Sequence, residues 1–245
     1  MARIIQLFPL IAASLLAACS GSDKFSLEKS ENPLLRTQYA AQIYEQSPND
    51  SKAALAYARH LRGLGSYGKA LQVLERAETI TPNHPKLLHE YGKTLLVLGR
   101  FGDAQVKLSR ASLLDKGHWQ NWSLLGVALD YEQQPDRAEH AHSQALKLSN
   151  EGYTALVNMG VSLLLSGKWE EASFYLERAD AHKKADGYAR QNLALALGLQ
   201  GNYKKAAALA RQDMPEKQAQ ENIRLFKSFA KTPSWELLGV KAQSP

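Results

Sequence analysis

The chain has 245 residues, of which 44% are hydrophobic and 22% charged, and a formal net charge of +6. Its single cysteine, Cys19, excludes an intramolecular disulfide and a cysteine-rich metal site. The excess of lysine and arginine is compatible with acidic partners or anionic surfaces, but without basic runs interleaved with aromatics it does not point to nucleic acid.

The first segment reads as a targeting signal rather than as fold. Arg3 supplies a positive start and Ile4 to Leu16 an apolar run, too short and wrongly flanked for a membrane-spanning helix. The run ends in Leu16-Ala17-Ala18-Cys19, which resembles a bacterial lipobox. The competing reading is an ordinary signal peptide that happens to hold a cysteine, but the chain's one cysteine stands at the small-residue cleavage position. The resemblance implies removal of residues 1–18, lipidation of Cys19 through sulfur and acylation of the new amino terminus. Cleavage would take away Arg3 and no acid, leaving +5. Ser20, rather than Asp, follows the cysteine, which by the same resemblance implies delivery to the outer membrane with the chain at its periplasmic face. Each buried methylene adds about 0.8 kcal/mol, so several acyl chains anchor far more firmly than one. Residues 20–31 then read as a polar tether.

From Ser51 onward the chain repeats. Ala70, Ala104, Ala138, Ala172 and Ala206 recur every 34 residues, and Ala58, Gly92, Gly126, Gly160 and Ala194 keep the same interval. A third rank is Ala77, Ala111, Ala145 and Ala179. Five ungapped units follow: 51–84, 85–118, 119–152, 153–186 and 187–220. In each, two segments of helical apolar spacing flank a break at Gly65, Gly99, Gly167 or Gly201, with Gln133 as the exception. Small residues at the facing positions let paired helices approach closely. Leu74, Leu108 and Leu176 fill the space around them, whereas His142 and Ala210 replace the large apolar group in two units. These residues match the tetratricopeptide repeat, a helix–turn–helix of this length. The expected fold is all-α: a right-handed α-solenoid of about five such repeats within residues 32–231. An N-terminal half-repeat over Glu31–Gln46 would open it, with Ala40 and Ile43 inward, and a helix over Glu216–Lys231 would cap it, with Ile223, Phe226 and Phe229 on one side. Residues 232–245 read as a flexible tail.

No catalytic constellation emerges. His140 and His142 point apart on a helix, His84 and His89 straddle a helix start, and His118 and His182 fall in turns between repeats. No glycine-rich phosphate loop follows a strand. The expectation is a binding protein with no cofactor, metal or small-molecule substrate.

Stacked hairpins offer their first helices as a concave face. Positions five, six, nine and twelve of each first helix are the expected groove. In the later units they include Val127, Asp130, Val157, Asn158, Val161, Leu164, Gln191, Asn192 and Leu195. Asn158 and Asn192 share one phase, and a carboxamide can both donate to and accept from a peptide backbone. The apolar surroundings suit an amphipathic segment, although Val157, Val161 and Leu195 could equally pack between repeats. In the earlier units Arg59, Arg62, Lys86, His89 and Lys93 make the groove basic. A ligand with an apolar stretch and an acidic end would fit both.

The last unit departs from plain repetition. The run Ala189-Arg190-Gln191-Asn192-Leu193-Ala194-Leu195-Ala196-Leu197-Gly198-Leu199-Gln200-Gly201 leads through Ala207–Arg211 to Asp213-Met214-Pro215 and then Gln220-Glu221-Asn222. This order resembles the TadD family, tetratricopeptide lipoproteins of tight-adherence (Flp) pilus systems. The family-specific part is mainly residues 189–222. The resemblance implies a scaffold in pilus assembly, pilotin-like, binding the outer-membrane secretin or another assembly component. The other reading is a general envelope adaptor for cell-wall enzymes or outer-membrane protein assembly, and a more remote one is a lipid-anchored enzyme.

Overall fold

The computed structural model describes residues 30–231; Cys19, nearly all of the tether and the tail 232–245 lie outside the described residues. Within them the secondary structure is helical throughout, with no strand. The chain divides into two compact units between Leu98 and Gly99, inside the turn of the second repeat.

The N-terminal unit holds α1 (Pro33–Gln46), α2 (Ser51–Gly63), α3 (Tyr67–Ile80) and α4 (Pro85–Val97). Its helices start where side chains satisfy the unpaired amides of a first turn. Asn32 accepts from the Leu34 N–H and Asp50 from the Lys52 N–H at 2.8 Å, while Pro33 and Pro85 occupy first-turn positions. Gly65 ends the hairpin's first helix at φ 73°, and the Ser66 N–H then reaches back to the Leu61 carbonyl at 2.9 Å. This is the Schellman closure, which needs a left-handed residue. Ala58, Ala70, Ala77 and Leu74 are buried where α2 and α3 pair. The opening half-repeat is present as α1, with Ala40 and also Thr37 buried, and Ile43 only half-buried.

The C-terminal unit holds α5 (Phe101–Leu114), α6 (Trp119–Tyr131), α7 (Pro135–Leu148), α8 (Tyr153–Leu165), α9 (Trp169–Asp180), α10 (Gly187–Leu199), α11 (Tyr203–Ala210) and α12 (Glu216–Lys231). Helices α6 and α7, α8 and α9, and α10 and α11 form hairpins, and α6, α8 and α10 pack in succession. The same closure recurs, with backbone N–H groups of Gln134, Lys168 and Asn202 donating to the carbonyls of Leu129, Leu163 and Leu197. Gln133, the non-glycine exception, takes the same left-handed turn at φ 56°.

Two expectations are corrected. The close approach at the eighth repeat position is not small residue against small residue. A Cβ on Gly160 would meet Leu176 Cγ at 2.5 Å, and one on Gly126 would meet the His142 ring at 2.5 Å. The glycine makes room for a large side chain four residues beyond the expected alanine. His142 therefore fills the place left to an apolar residue, and it is completely buried there. The fifth unit, 187–220, also does not run to its end as a repeat. Helix α11 stops at Ala210, and α12 starts at Glu216 within residues that the period assigns to the fifth unit. Arg190 on α10 donates to Asp213 and lies 3.3 Å from Asp180, so the turn before Pro215 is tied to the stack. Helix α12 then covers the open end: Phe226 packs on Gly198, whose added Cβ would stand 2.3 Å from the ring, and Ala219 is buried.

Candidate protein-binding faces

The three first helices α6, α8 and α10 bring together most of the residues expected to line the apolar groove. Val127, Val161 and Leu195 recur at the ninth position and are all half-buried, as is Leu164 one turn after Val161. Val161, Leu164 and Leu195 rest their inner sides on the core of this unit while keeping surface outward. Tyr131 and Leu165, at the thirteenth position, extend the strip with 62% and 46% exposure. Tyr131 is held there by stacking on Phe101, ring centroids 4.1 Å apart. The sequence reading missed both, although their shared phase was a signal that could have found them.

Val157 is a correction. It is 3% exposed and belongs to the core, so it is not offered to a partner. Ser123, at the same phase in the preceding unit, is buried too, whereas Gln191 in the following unit is only half-buried.

The polar residues of the face are committed to the stack more than was expected. Asn158 Nδ2 donates to Ser123 Oγ at 2.8 Å, joining α8 to α6. Asn192 Nδ2 donates at 2.8 Å to the Tyr188 carbonyl within its own helix. The two amides thus share a phase but not a role. Gln191 is half-buried on α10. Asp130 is a junction: Ser162 Oγ donates to its Oδ1 at 2.6 Å, and His142 Nε2 lies 2.9 Å from its Oδ2.

A serine, an aspartate and a histidine in contact invite comparison with a nucleophilic triad. The order is wrong for that chemistry. A triad needs the imidazole between hydroxyl and carboxylate to take the hydroxyl proton. Here the carboxylate stands between, and Ser162 and His142 are 2% and 0% exposed. The arrangement satisfies buried polar groups across α6, α7 and α8.

In the N-terminal unit, α2 and α4 carry the basic residues. Arg59 is exposed, Arg62 and Lys93 are half-buried, and Lys86 is exposed. Both arginines converge on Glu90, with Arg59 Nε 2.9 Å from Oε1 and Arg62 Nε 3.4 Å from Oε2. His89, half-buried on α4, adds to this face. Glu90 escaped the sequence reading, although it occupies the same phase as Asn158 and Asn192.

Residues 51–94, in the N-terminal unit, and residues 187–212, in the C-terminal unit, match models described as tetratricopeptide repeat. No curated protein matches the chain. Among solved structures, a tetratricopeptide repeat protein from Parabacteroides merdae superposes with a TM-score of 0.70 at 13% identity, covering 86% of each chain. PilF of Pseudomonas aeruginosa gives 0.64 at 16% identity over 78% of this chain and 87% of that one. YrrB, described as a tetratricopeptide protein with an unusual peptide-binding site, gives 0.59 at 17% identity over 76% and 99%. At such identities the likeness is one of fold. The 34-residue period, the repeated helical hairpins and the matched segments in both units give the chain a fold of tetratricopeptide-type helical repeats, and such repeats imply a scaffold for protein–protein interaction.

Proposed function

We propose that this protein is a lipid-anchored periplasmic scaffold for assembly of the tight-adherence (Flp, type IVb) pilus apparatus. In this reading it acts as a pilotin does, supporting the placement or stability of the outer-membrane secretin. The binding role rests on one observation: the half-buried apolar row of Val127, Val161, Leu164 and Leu195 on three successive first helices. Such a row, repeated at one pitch and edged by Tyr131 and Leu165, suits the apolar side of an amphipathic segment. The pilus assignment is drawn from the order of residues 189–222 and the lipobox ending in Cys19. The peptide-binding site ascribed to YrrB and the presence of PilF among the similar folds are in keeping with it.

The mechanism is tethering. Lipid on Cys19 would hold the scaffold at the outer membrane, and a groove of modest affinity would suffice because attachment raises the effective concentration of the bound partner beside it. The test is deletion of the gene followed by membrane fractionation. Secretin should fall in amount, mislocalise or fail to form multimers; if amount, location and multimer state are all unchanged, the pilotin role is lost. Replacing Cys19→Ser should release the protein from the membrane and abolish lipid labelling.

A further inference from the structure

Consecutive helices of the N-terminal unit are joined by turns of three or four residues and pack on one another, so the chain reverses at each turn. One edge of the unit therefore gathers the start of α1, the turn from α2 to α3 and the end of α4, and the other gathers the turns 47–50 and 81–84. Exposed apolar side chains are not shared evenly between them. Of the six large ones in this unit, Leu34, Leu35, Leu64, Val97 and Leu98 all stand at the first edge, and only Ile80 at the second. The five are 36–54% exposed. The second edge is otherwise Ser47-Pro48-Asn49-Asp50 and Thr81-Pro82-Asn83-His84, which is ordinary turn chemistry.

The first edge is apolar without being a groove. Its side chains project from separate helix ends, and a Cβ added to Gly63, Gly65 or Gly68 would meet nothing within 4 Å, so the turn stands clear of the fold. Arg36, Lys69 and Arg62, the last also reaching Glu90, lie within about one helical turn of it, and Glu31 is the one acid that does among the described residues. Projecting apolar groups set among cations suit the surface of a bilayer: the apolar groups enter the headgroup boundary and the cations meet anionic lipid. The path of the chain leads to the same edge. Residues 20–32 separate Cys19 from α1 and span at most about 45 Å, and the second edge lies about 20 Å further along the helices.

We propose that this edge of the N-terminal unit rests on the bilayer, with Leu34, Leu35, Leu64, Val97 and Leu98 entering the headgroup boundary. The approach along the tether rests on the lipid anchor proposed above; the apolar edge does not. With the anchor in place a weak contact suffices, because attachment keeps the lipid at high local concentration. A second copy of the chain is the weaker fit. Two projecting edges offer each other no hollow to fill, whereas lipid conforms to them.

The test uses residues 19–245 carrying Cys19→Ser, mixed with vesicles of phosphatidylethanolamine and phosphatidylglycerol. The chain should sediment with the vesicles at millimolar lipid, and Leu64→Ser with Val97→Ser should weaken this at least about tenfold, as expected when two apolar groups no longer leave water. Both residues are exposed, so the variant should fold, which circular dichroism checks. Val106→Ser with Leu113→Ser removes equally exposed apolar groups from α5 and should bind normally. Bimane attached at Leu64→Cys should be quenched by doxyl-labelled lipid, and bimane at Asn49→Cys on the second edge should not. No sedimentation, equal loss in the α5 variant, equal quenching at both edges, or a lipid-free dimer abolished by Leu64→Ser with Val97→Ser would each overturn the proposal. Cys19 is absent from the assay, so failed lipid labelling of Cys19 would count against the anchor alone.

Discussion

Asp130→Ala isolates what holds the third and fourth repeats together. Asp130 accepts from Ser162 Oγ at 2.6 Å and faces His142 Nε2 at 2.9 Å, and its side chain is only 9% exposed. His142 has no other recourse, since its Nδ1 is buried without a hydrogen-bond partner. Truncation strands the imidazole entirely, costing about 2 kcal/mol, and removes the acceptor of a buried hydroxyl, costing about 1 kcal/mol more. The total of about 3 kcal/mol lies at the lower edge of what breaking a buried pair costs. In thermal unfolding followed by circular dichroism this corresponds to a fall of roughly 6–12 °C for a domain of this size. The chain itself shows the remedy: in the next hairpin Leu176 fills the same place against Gly160. Adding His142→Leu to Asp130→Ala should therefore recover about 2 kcal/mol, because an apolar group replaces the stranded one. Two results would refute this reasoning. One is a single-variant loss below about 1 kcal/mol, the size of an ordinary exposed pair; the other is a double variant no more stable than the single.

The remaining predictions concern turns and the capping helix. Gln133→Gly should stabilise the hairpin of α6 and α7 by about 1 kcal/mol, since a side chain at φ 56° carries a steric cost that glycine escapes; urea midpoints would show it. Gly198→Ala should loosen α12, because the new methyl would stand 2.3 Å from the Phe226 ring. The cost is about 1–3 kcal/mol, visible as faster amide exchange in α12 with α8 and α9 unaffected. Hydrogen bonds from Arg211, then from Gln220, pull the Glu216 carboxyl down to about 2 from an ordinary value of 4.5. A depressed carboxylate adds stability above its unfolded value that is lost as pH falls through the folded one. Fraying at the start of α12 should therefore set in between pH 4.5 and about 2. Glu216→Gln should make protection there, taken relative to the intrinsic exchange rate at each pH, insensitive to pH across that window; a protection profile as pH-dependent as the wild type's would rule out Glu216 as its source.

Much of the fold was legible before any coordinates. A 34-residue beat of small residues can persist only if every hairpin meets its neighbour in the same way, so period, helix pairing and turn positions follow from spacing alone. The break glycines were equally legible, because a left-handed residue is needed to close each first helix. The capping helix over Glu216–Lys231 was legible too, but the early stop of α11 at Ala210 was not. The period runs on past Ala206, but Asp213 bound by Arg190 and the following Pro215 turn the chain early, and no count of small residues foretells an ion pair.

The faces divide along the same line. Phase alone placed Val127, Val161 and Leu195 on one side of three helices, and the structure keeps them half-exposed there. Phase could not say that Val157 would be sealed by the adjoining helix, that Asn158 would spend its amide on Ser123, or that Glu90 would gather two arginines. Helical periodicity gives the direction of a side chain from its own axis. Whether that direction ends in water, in a neighbouring side chain or in a counter-charge depends on the next helix. The regular residues of this chain were thus determined by sequence, and the commitments of the irregular ones between them were decided only by tertiary packing.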